Sequence, residues 1–151
     1  MERMWTCMKK IITVIVCSIS FLVLSACVSN KKLILPESER ISVISLQKKL
    51  SEDIKTINKR EEISELIKEI QRQSKSTSLE SVNDQPTNVK DYIIIKFYHQ
   101  NEENDSVAYL YTKKEKQYIE QPYVGIWQVS PDIANRIEEI FSSWFIGKRK
   151  F

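Results

Sequence analysis

The feature that most constrains this chain is an uncharged apolar run near its start. Residues 11 to 26 read IITVIVCSISFLVLSA, and Lys9 and Lys10 stand directly before them. A secretory signal peptide has three parts: a basic segment, an apolar stretch and small residues before the cleavage site. The sequence therefore predicts that residues 1–26 are removed on export and that the folded domain lies in the remainder.

The run ends in Leu24, Ser25, Ala26 and Cys27, a pattern that resembles the lipobox of bacterial lipoproteins. In that family the cysteine thiol receives diacylglycerol, and the signal is then cut just before the cysteine. The resemblance implies cleavage at Leu24-Ser25-Ala26 and a covalent diacylglycerol (palmitate class) on Cys27. It also implies a location on the extracellular face of the cytoplasmic membrane of a Gram-positive cell.

Three alternatives for this leader stay open. Residues 11–28 approach the roughly 20 apolar residues of a transmembrane helix, so an uncleaved span is one alternative. The basic segment is more compact if translation begins at Met8 rather than Met1. Residues 19–26, ISFLVLSA, also resemble the peptide pheromones that enterococci cut from lipoprotein signals. We expect no second span in the rest of the chain.

The net charge and the cysteine content restrict which partners and which disulfides are expected. The chain carries a net charge of +3, of which +2 belongs to residues 1–26, so the mature part is close to neutral. A nucleic-acid partner is not expected, because phosphate recognition needs a basic surface. The three cysteines are Cys7, Cys17 and Cys27. The mature chain would keep Cys27 alone with its sulfur bonded to lipid, so we expect no disulfide.

The first half of the mature chain predicts a tether, a hairpin and a helix. Residues 27–40 are assigned to the lipidated cysteine and a polar tether. The β-branched segment 41–46 and the segment 54–57 predict a β-hairpin. The alternative is one helix, with Leu46, Leu50, Ile54 and Ile57 on a stripe. An amphipathic helix is predicted over residues 59–73. Asn58 is its expected cap, and acidic Glu61 and Glu62 lie in its first turn. Its apolar stripe consists of Ile63, Leu66, Ile67 and Ile70.

The second half predicts a sheet and a closing helix. Residues 74–91 are expected to form a long polar loop, either functional or mobile. The strongest strand, 92–100, is apolar enough for the middle of a sheet, and 106–112 returns antiparallel after a turn at 101–105. Two further strands follow, with a bend or bulge at Pro122. Ser130 caps a last helix with Pro131 first and Gly147 at its end, and its apolar stripe is Ile133, Ile137, Ile140, Phe141 and Trp144.

The predicted fold class is therefore α+β. We expect an antiparallel meander of about four to five strands with one helix before it and one after it, preceded by the signal helix. The domain spans residues 41–147, and 148–151 form a basic tail. Two apolar helix stripes and one sheet face are sufficient for a two-layer core.

Three segments of this domain also resemble a known family. They are SLESVNDQP at 78–86, YIIIKFY at 92–98 and YLYTKKEKQYIEQPYVGIW at 109–127. Together they resemble small Firmicutes lipoproteins and secreted proteins of unknown function, over most of residues 58–145. The resemblance implies an extracellular α+β domain behind a lipid anchor, and it implies no activity.

Catalytic and metal sites receive little support from the sequence. The chain has a single histidine, His99, at a strand end where an exposed histidine is common. One histidine and no free thiol do not suit zinc. The NEEND segment at 101–105 lacks the spaced ligands of a calcium loop. No catalytic residue and no metal site are predicted.

Aromatic side chains are the sharper feature of the sheet. Tyr109 and Tyr111 share one face of a strand, as do Tyr118 and Glu120 on the next, and Tyr123 and Trp127 follow. If these rings face solvent, they form an amphipathic binding surface with Glu120 on its rim. The alternative is that most of them cover the core beneath the helices.

The sequence thus predicts a membrane-anchored surface lipoprotein that is not an enzyme and needs no cofactor. Its expected partners are the membrane, through the anchor, and an unidentified protein, peptide or cell-wall ligand. Two alternatives remain: a cell-envelope hydrolase, and an accessory or immunity protein for a neighbouring membrane system.

Overall fold

A computed structural model describes residues 31–100 and 105–148, with side chains up to residue 142. The predicted signal, Cys27, most of the 101–105 turn and the final three residues lie outside the described residues. The described chain forms one seven-stranded antiparallel sheet and two helices. The strands are β1 Ile41–Lys48, β2 Ile54–Ile57, β3 Ser74–Ser76, β4 Ile93–His99, β5 Ser106–Lys113, β6 Lys116–Gln121 and β7 Gly125–Val129; the helices are α1 Arg60–Arg72 and α2 Pro131–Lys148.

The strand order across the sheet is β2-β1-β4-β5-β6-β7-β3. This confirms the α+β class and the interior position of β4, but the sheet has more strands than predicted. The missed strand is β3, which the sequence analysis included in the polar loop. Its three residues carry no apolar signal, and they become a strand because Ser74 and Ser76 pair with Val129 and Trp127 of β7.

The first two strands form the predicted hairpin rather than the alternative helix. Ile44 pairs with Ile57 and Gln47 pairs with Ile54. Leu50 lies in the turn with 87% of its surface exposed, so it belongs to no buried helical stripe. Between β5 and β6, Lys114 and Glu115 both have positive φ, which is the type I′ geometry favoured in two-residue hairpins.

Helix α1 buries its four predicted apolar residues and carries Glu61 and Glu62 in its first turn. The predicted cap is wrong. The N-cap position is Lys59, not Asn58, and no side chain caps the helix. The backbone N–H of Ile63 bonds the carbonyl oxygen of Lys59 at 3.0 Å, so the helix starts one residue too late for Asn58 to reach its free N–H groups.

Helix α2 begins as predicted, since the Ser130 hydroxyl oxygen accepts the N–H of Ile133 at 3.3 Å. Ile133, Ile137 and Phe141 are buried and Ile140 packs against them, whereas the Trp144 side chain lies outside the described residues. The predicted end at Gly147 is wrong: the helix continues through it to Lys148. No glycine among the described residues has a positive φ, so the conformational freedom of Gly147 is not used.

The two helices lie side by side on one face of the sheet. The guanidinium group of Arg136 on α2 bonds Glu69 and Glu65 of α1, the latter at 3.2 Å. Alternate strand residues supply the other half of the core, including Ile44, Leu46, Ile95, Phe97, Leu110, Ile119 and Trp127. No helix among residues 31–100 and 105–148 is both long and apolar enough to cross a membrane.

Residues 31–40 pack on the domain through Leu33 and Leu35, which belong to this core, so they are not a tether. Leu33 is 2% exposed and Leu35 is also buried. The indole N–H of Trp127 donates to the Lys31 carbonyl oxygen at 2.7 Å. The predicted domain boundary at residue 41 is therefore wrong. Two leucines between charged residues and a proline are too short a pattern to reveal a buried segment. The domain begins at or before Lys31.

Truncating Leu33 tests this boundary. We expect Leu33→Ala to lower the free energy of unfolding by about 2–4 kcal/mol, because it leaves a cavity beside the sheet. The adjacent Ile34 is 74% exposed, so Ile34→Ala is the matched control and should change stability by less than about 0.5 kcal/mol. Urea denaturation followed by tryptophan fluorescence measures both. Equal, small effects would mean that the segment is a tether.

Candidate functional site

The sheet face opposite the helices carries a cluster of tyrosines around one carboxylate. Tyr109 and Tyr111 lie on this face of β5, and Tyr118 and Glu120 lie on the same face of β6. Tyr109 is paired with Glu120 and Tyr111 with Tyr118. The Tyr111 and Tyr118 rings stack with centroids 5.8 Å apart. Strand alternation thus brings four polar or aromatic side chains into one group.

This group is covered by residues 77–92, which we call the covering segment. Glu120 is only 5% exposed. One of its carboxylate oxygens accepts the Ser81 hydroxyl at 2.7 Å, and the other accepts the Tyr111 hydroxyl at 3.0 Å. A buried carboxylate is costly unless it is hydrogen-bonded, and here each oxygen has a donor. The Glu120 carboxylate therefore fastens the covering segment to the sheet.

Further contacts hold the middle and the C-terminal end of the covering segment. The Tyr92 ring meets the Tyr109 ring edge to face, with centroids 5.3 Å apart. The Tyr92 hydroxyl donates to Gln85 at 2.7 Å, and the Tyr123 hydroxyl donates to Asp84 at 2.8 Å. The loop that the sequence predicted as functional or mobile is therefore packed on the sheet.

The protonation of Tyr111 follows from this environment. Burial raises the pKa of its phenol well above the ordinary value, and the neighbouring Glu120 carboxylate raises this pKa further. Burial also raises the pKa of Tyr109. The Tyr111 phenol therefore keeps its proton and serves as a hydrogen-bond donor rather than as a base.

Catalytic groups do not converge on Glu120. The imidazole of His99 contacts the Ser106 hydroxyl, with Nε2 and Oγ 2.9 Å apart, at the start of β5. Glu120 lies on β6 and is bonded to Ser81 and Tyr111. Its geometry is that of a structural clamp between a loop and a sheet. In the described part of the chain, no three His, Cys, Asp or Glu side chains are grouped to hold a metal ion.

Beside the clamp lies a group of exposed apolar side chains that we call the Tyr123 patch: Leu79, Val82, Tyr123 and Val124. All four line a cleft of about 250 Å³ that also contains Lys31. Tyr123 sits in the turn between β6 and β7, where the Val124 N–H bonds the Gln121 carbonyl oxygen at 3.1 Å. The bend predicted at Pro122 is therefore confirmed as a hairpin turn.

The six residues of the predicted aromatic surface differ in their environments. Trp127 is buried in the core on the helix side, and Tyr111 and Glu120 are buried beneath the covering segment. Tyr109 and Tyr118 are half-buried. Tyr123 alone of the six is exposed, at 65%. The six residues therefore form no continuous exposed surface, because adjacent positions on β6 and β7 face opposite sides of the sheet and a loop covers one side.

Three members of the Tyr123 patch were not predicted from the sequence. Leu79 and Val82 are isolated apolar residues in a polar loop, and Val124 follows a turn proline. Each one is an ordinary exposed residue by itself. Only the contacts that fold the covering segment back onto the β6–β7 turn bring them together.

A second cleft lies at the other end of the sheet. It has a volume of about 450 Å³ and lies between the β5–β6 hairpin and residues 88–92. Its charged lining is mixed: Lys48, Lys90, Lys113 and Lys114 with Asp91 and Glu138. This charge pattern defines no particular ligand.

The fold and the covered sheet face define a small α+β domain with a packed loop over a tyrosine cluster. Residues 29–128 match the family DUF5301, described as a domain of unknown function (DUF5300), and the chain belongs to this family. The match starts close to Lys31, where the packed chain begins.

A solved structure described as the NMR structure of the protein from Ruminococcus gnavus has a similar fold. The TM-score is 0.55 and the sequence identity is 24%, over 68% of this chain and 99% of that chain. At this identity the likeness shows the fold alone. No curated protein matches the chain.

Replacing the clamp carboxylate should loosen the covering segment. We expect Glu120→Gln to lower the free energy of unfolding by about 1–3 kcal/mol, because an amide cannot accept both buried hydroxyls. Limited proteolysis should cut within residues 77–92 more rapidly than in wild type. Glu139→Gln, at an exposed position of α2, is the control. A variant whose proteolysis and stability match wild type would show that Glu120 does not hold the segment.

Alkaline pH should weaken the same clamp through Tyr111. Its folded-state pKa is raised, so its contribution to stability is complete below the unfolded value of about 10 and is lost as the pH rises above it. We expect the stability advantage of wild type over Tyr111→Phe to be constant up to about pH 9 and to shrink progressively as the pH rises above the ordinary tyrosine pKa of about 10. Urea unfolding at a series of pH values measures this difference, with Tyr118→Phe as the control. A difference independent of pH would contradict the assignment.

Proposed function

We propose that this protein is a lipid-anchored surface protein with a non-catalytic binding or accessory role. The observation that carries the proposal is the position of Leu24-Ser25-Ala26-Cys27 relative to the fold. Packed chain begins at or before Lys31, and the family match begins at residue 29. Cleavage before Cys27 would therefore remove the leader and leave the lipidated cysteine as the N-terminus, directly ahead of an intact domain.

The short spacing also determines where the domain would sit. Three residues lie between Cys27 and Lys31, and the four residue-to-residue steps from Cys27 to Lys31 span at most about 14 Å in a fully extended chain. A domain attached to lipid at Cys27 would stand next to the bilayer rather than project far from it. Accessory action on a neighbouring membrane protein, or immunity, is compatible with this position.

The non-catalytic role is supported by the site itself. The buried carboxylate on the tyrosine face uses both oxygens to hold the covering segment. A general acid or base needs an atom within hydrogen-bond reach of the substrate. The Glu120 oxygens face Ser81 and Tyr111 beneath the covering segment.

One observation favours an envelope hydrolase as the second candidate. The His99–Ser106 contact has the distance of a base next to a nucleophile, and Asp105 lines the same shallow cleft as His99. Peptidoglycan or peptide hydrolysis that Ser106→Ala abolishes would favour this alternative over the binding role.

Lipidation at Cys27 is tested on the full chain expressed in a Gram-positive host. We expect the membrane fraction to contain a protein that begins at a diacylglycerol-modified Cys27, as measured by intact mass spectrometry. Cys27→Ala should keep its leader and gain no lipid, because the acceptor sulfur is absent. Cys17→Ala lies within the leader and should be processed normally. An unmodified Cys27 in wild type, or a retained leader, would refute the anchor.

A further inference from the structure

Exposed apolar side chains gather where the chain enters the fold. Among the described residues, seven large hydrophobic side chains are exposed, and five of them lie near Lys31. Four form the Tyr123 patch, which shares its cleft with Lys31. The fifth is Ile34, whose carbonyl oxygen accepts the side-chain amide of Gln121 just before the β6–β7 turn.

The opposite end of the sheet has a different surface. The remaining two exposed residues, Leu50 and Ile54, belong to the β1–β2 hairpin. Lys48 pairs with Ile93, and Ile93 pairs with Leu110, so this hairpin lies at the same sheet end as the β5–β6 turn. The Tyr123 patch lies at the opposite end of β6, where the β6–β7 turn begins. The apolar surface is therefore concentrated on the side of the molecule where Lys31, the first described residue, lies.

The Tyr123 patch is held in its exposed position. The Ser81–Glu120 bond fixes the covering segment between Leu79 and Val82, and Tyr123 is bonded to Asp84. Tyr123 has a φ of +60°, a conformation that is unfavourable for a bulky side chain. Glycine or asparagine would satisfy this turn better, so the presence of an exposed tyrosine there indicates a role beyond the turn.

We propose that the Tyr123 patch inserts into the interfacial region of the phospholipid bilayer to which Cys27 is anchored. This inference rests on the proposed function. A tether of at most about 14 Å brings the surface around Lys31 to the headgroups. Apolar side chains bury about 5–10 Å into that boundary, and tyrosine is enriched there. The lipid anchor and the patch together hold the domain in one orientation, since one acyl anchor by itself leaves it free to rotate.

Charge around the patch is consistent with a headgroup contact. Lys31 and Lys32 are exposed at the start of the described chain, and both attract anionic lipid. Glu80 lines the same cleft, and Asp84 is bonded to Tyr123. The apolar side chains rather than net charge therefore supply the main attraction, and binding should persist on zwitterionic lipid.

A fluorophore on a single cysteine tests the insertion. The mature lipidated protein would have no free thiol, because its only cysteine carries the lipid, so Val82→Cys introduces one labelling site. The lipidated protein is reconstituted into phosphatidylcholine vesicles, with or without phosphatidylglycerol, that contain quencher-labelled lipid. We expect several-fold stronger quenching at residue 82 than at Leu50→Cys, whose position is even more exposed in the fold but lies at the opposite end.

A second pair of variants separates insertion from folding. Tyr123→Asn keeps a residue that tolerates positive φ and removes the ring, and Leu79→Ser removes an exposed apolar side chain. In each background we expect quenching of a label at Val124→Cys to fall several-fold while the thermal unfolding curve stays close to that of the labelled parent. Unchanged quenching would contradict insertion of these side chains.

The outcomes distinguish this inference from the proposed function. If the protein is found with the vesicles but residue 82 is quenched no more than residue 50, the insertion is refuted and the anchor stands. A blue-shifted label that lipid does not quench means that a second copy or another protein covers the patch, which also refutes insertion. A protein that does not sediment with vesicles refutes the anchor and, with it, this inference.

Discussion

The Glu120 carboxylate is buried on a sheet face that no helix covers, and its burial constrains the residues that surround it. A charged group can remain there only with a donor for each oxygen, and the donors are Ser81 and Tyr111. One comes from a loop and the other from the neighbouring strand. The need to satisfy one buried carboxylate thus holds a polar loop against the sheet face opposite the helices.

Trp127 has the corresponding role on the helix side. Its ring fills the core, and its indole N–H must find an acceptor when buried; the acceptor is the carbonyl oxygen of Lys31. A Cβ atom at position 125 would lie 3.0 Å from this ring, so Gly125 permits the close approach. The first described residue, Lys31, is thereby fixed next to the β6–β7 turn. Lys31, the turn and the covering segment are brought to one corner of the molecule by two hydrogen-bonded polar groups on opposite faces of the sheet.

The elements with strong local periodicity could be predicted from the sequence, and those that depend on a distant partner could not. The stripe of α1, the Ser130 cap and the β4 strand are visible in a few consecutive residues, and the structure confirms them. Strand β3 consists of Ser74, Lys75 and Ser76, and it exists only because β7 offers an unpaired edge. Leu33 and Leu35 are too few to mark a strand, yet they are buried. The division of the six candidate residues between core, covered face and solvent required the positions of the helices and of the loop.

The sequence by itself determined the α+β class, the amphipathic elements and the expectation of a lipidated Cys27, since each depends on residues that are neighbours along the chain. Only the tertiary structure decided that Glu120 is a clamp, that residues 31–40 belong to the core, and that Leu79, Val82, Tyr123 and Val124 share one surface. The reason is physical: hydrophobic periodicity is a local property of the chain, whereas the burial of a polar group and the continuity of a surface depend on contacts between residues that are distant in sequence.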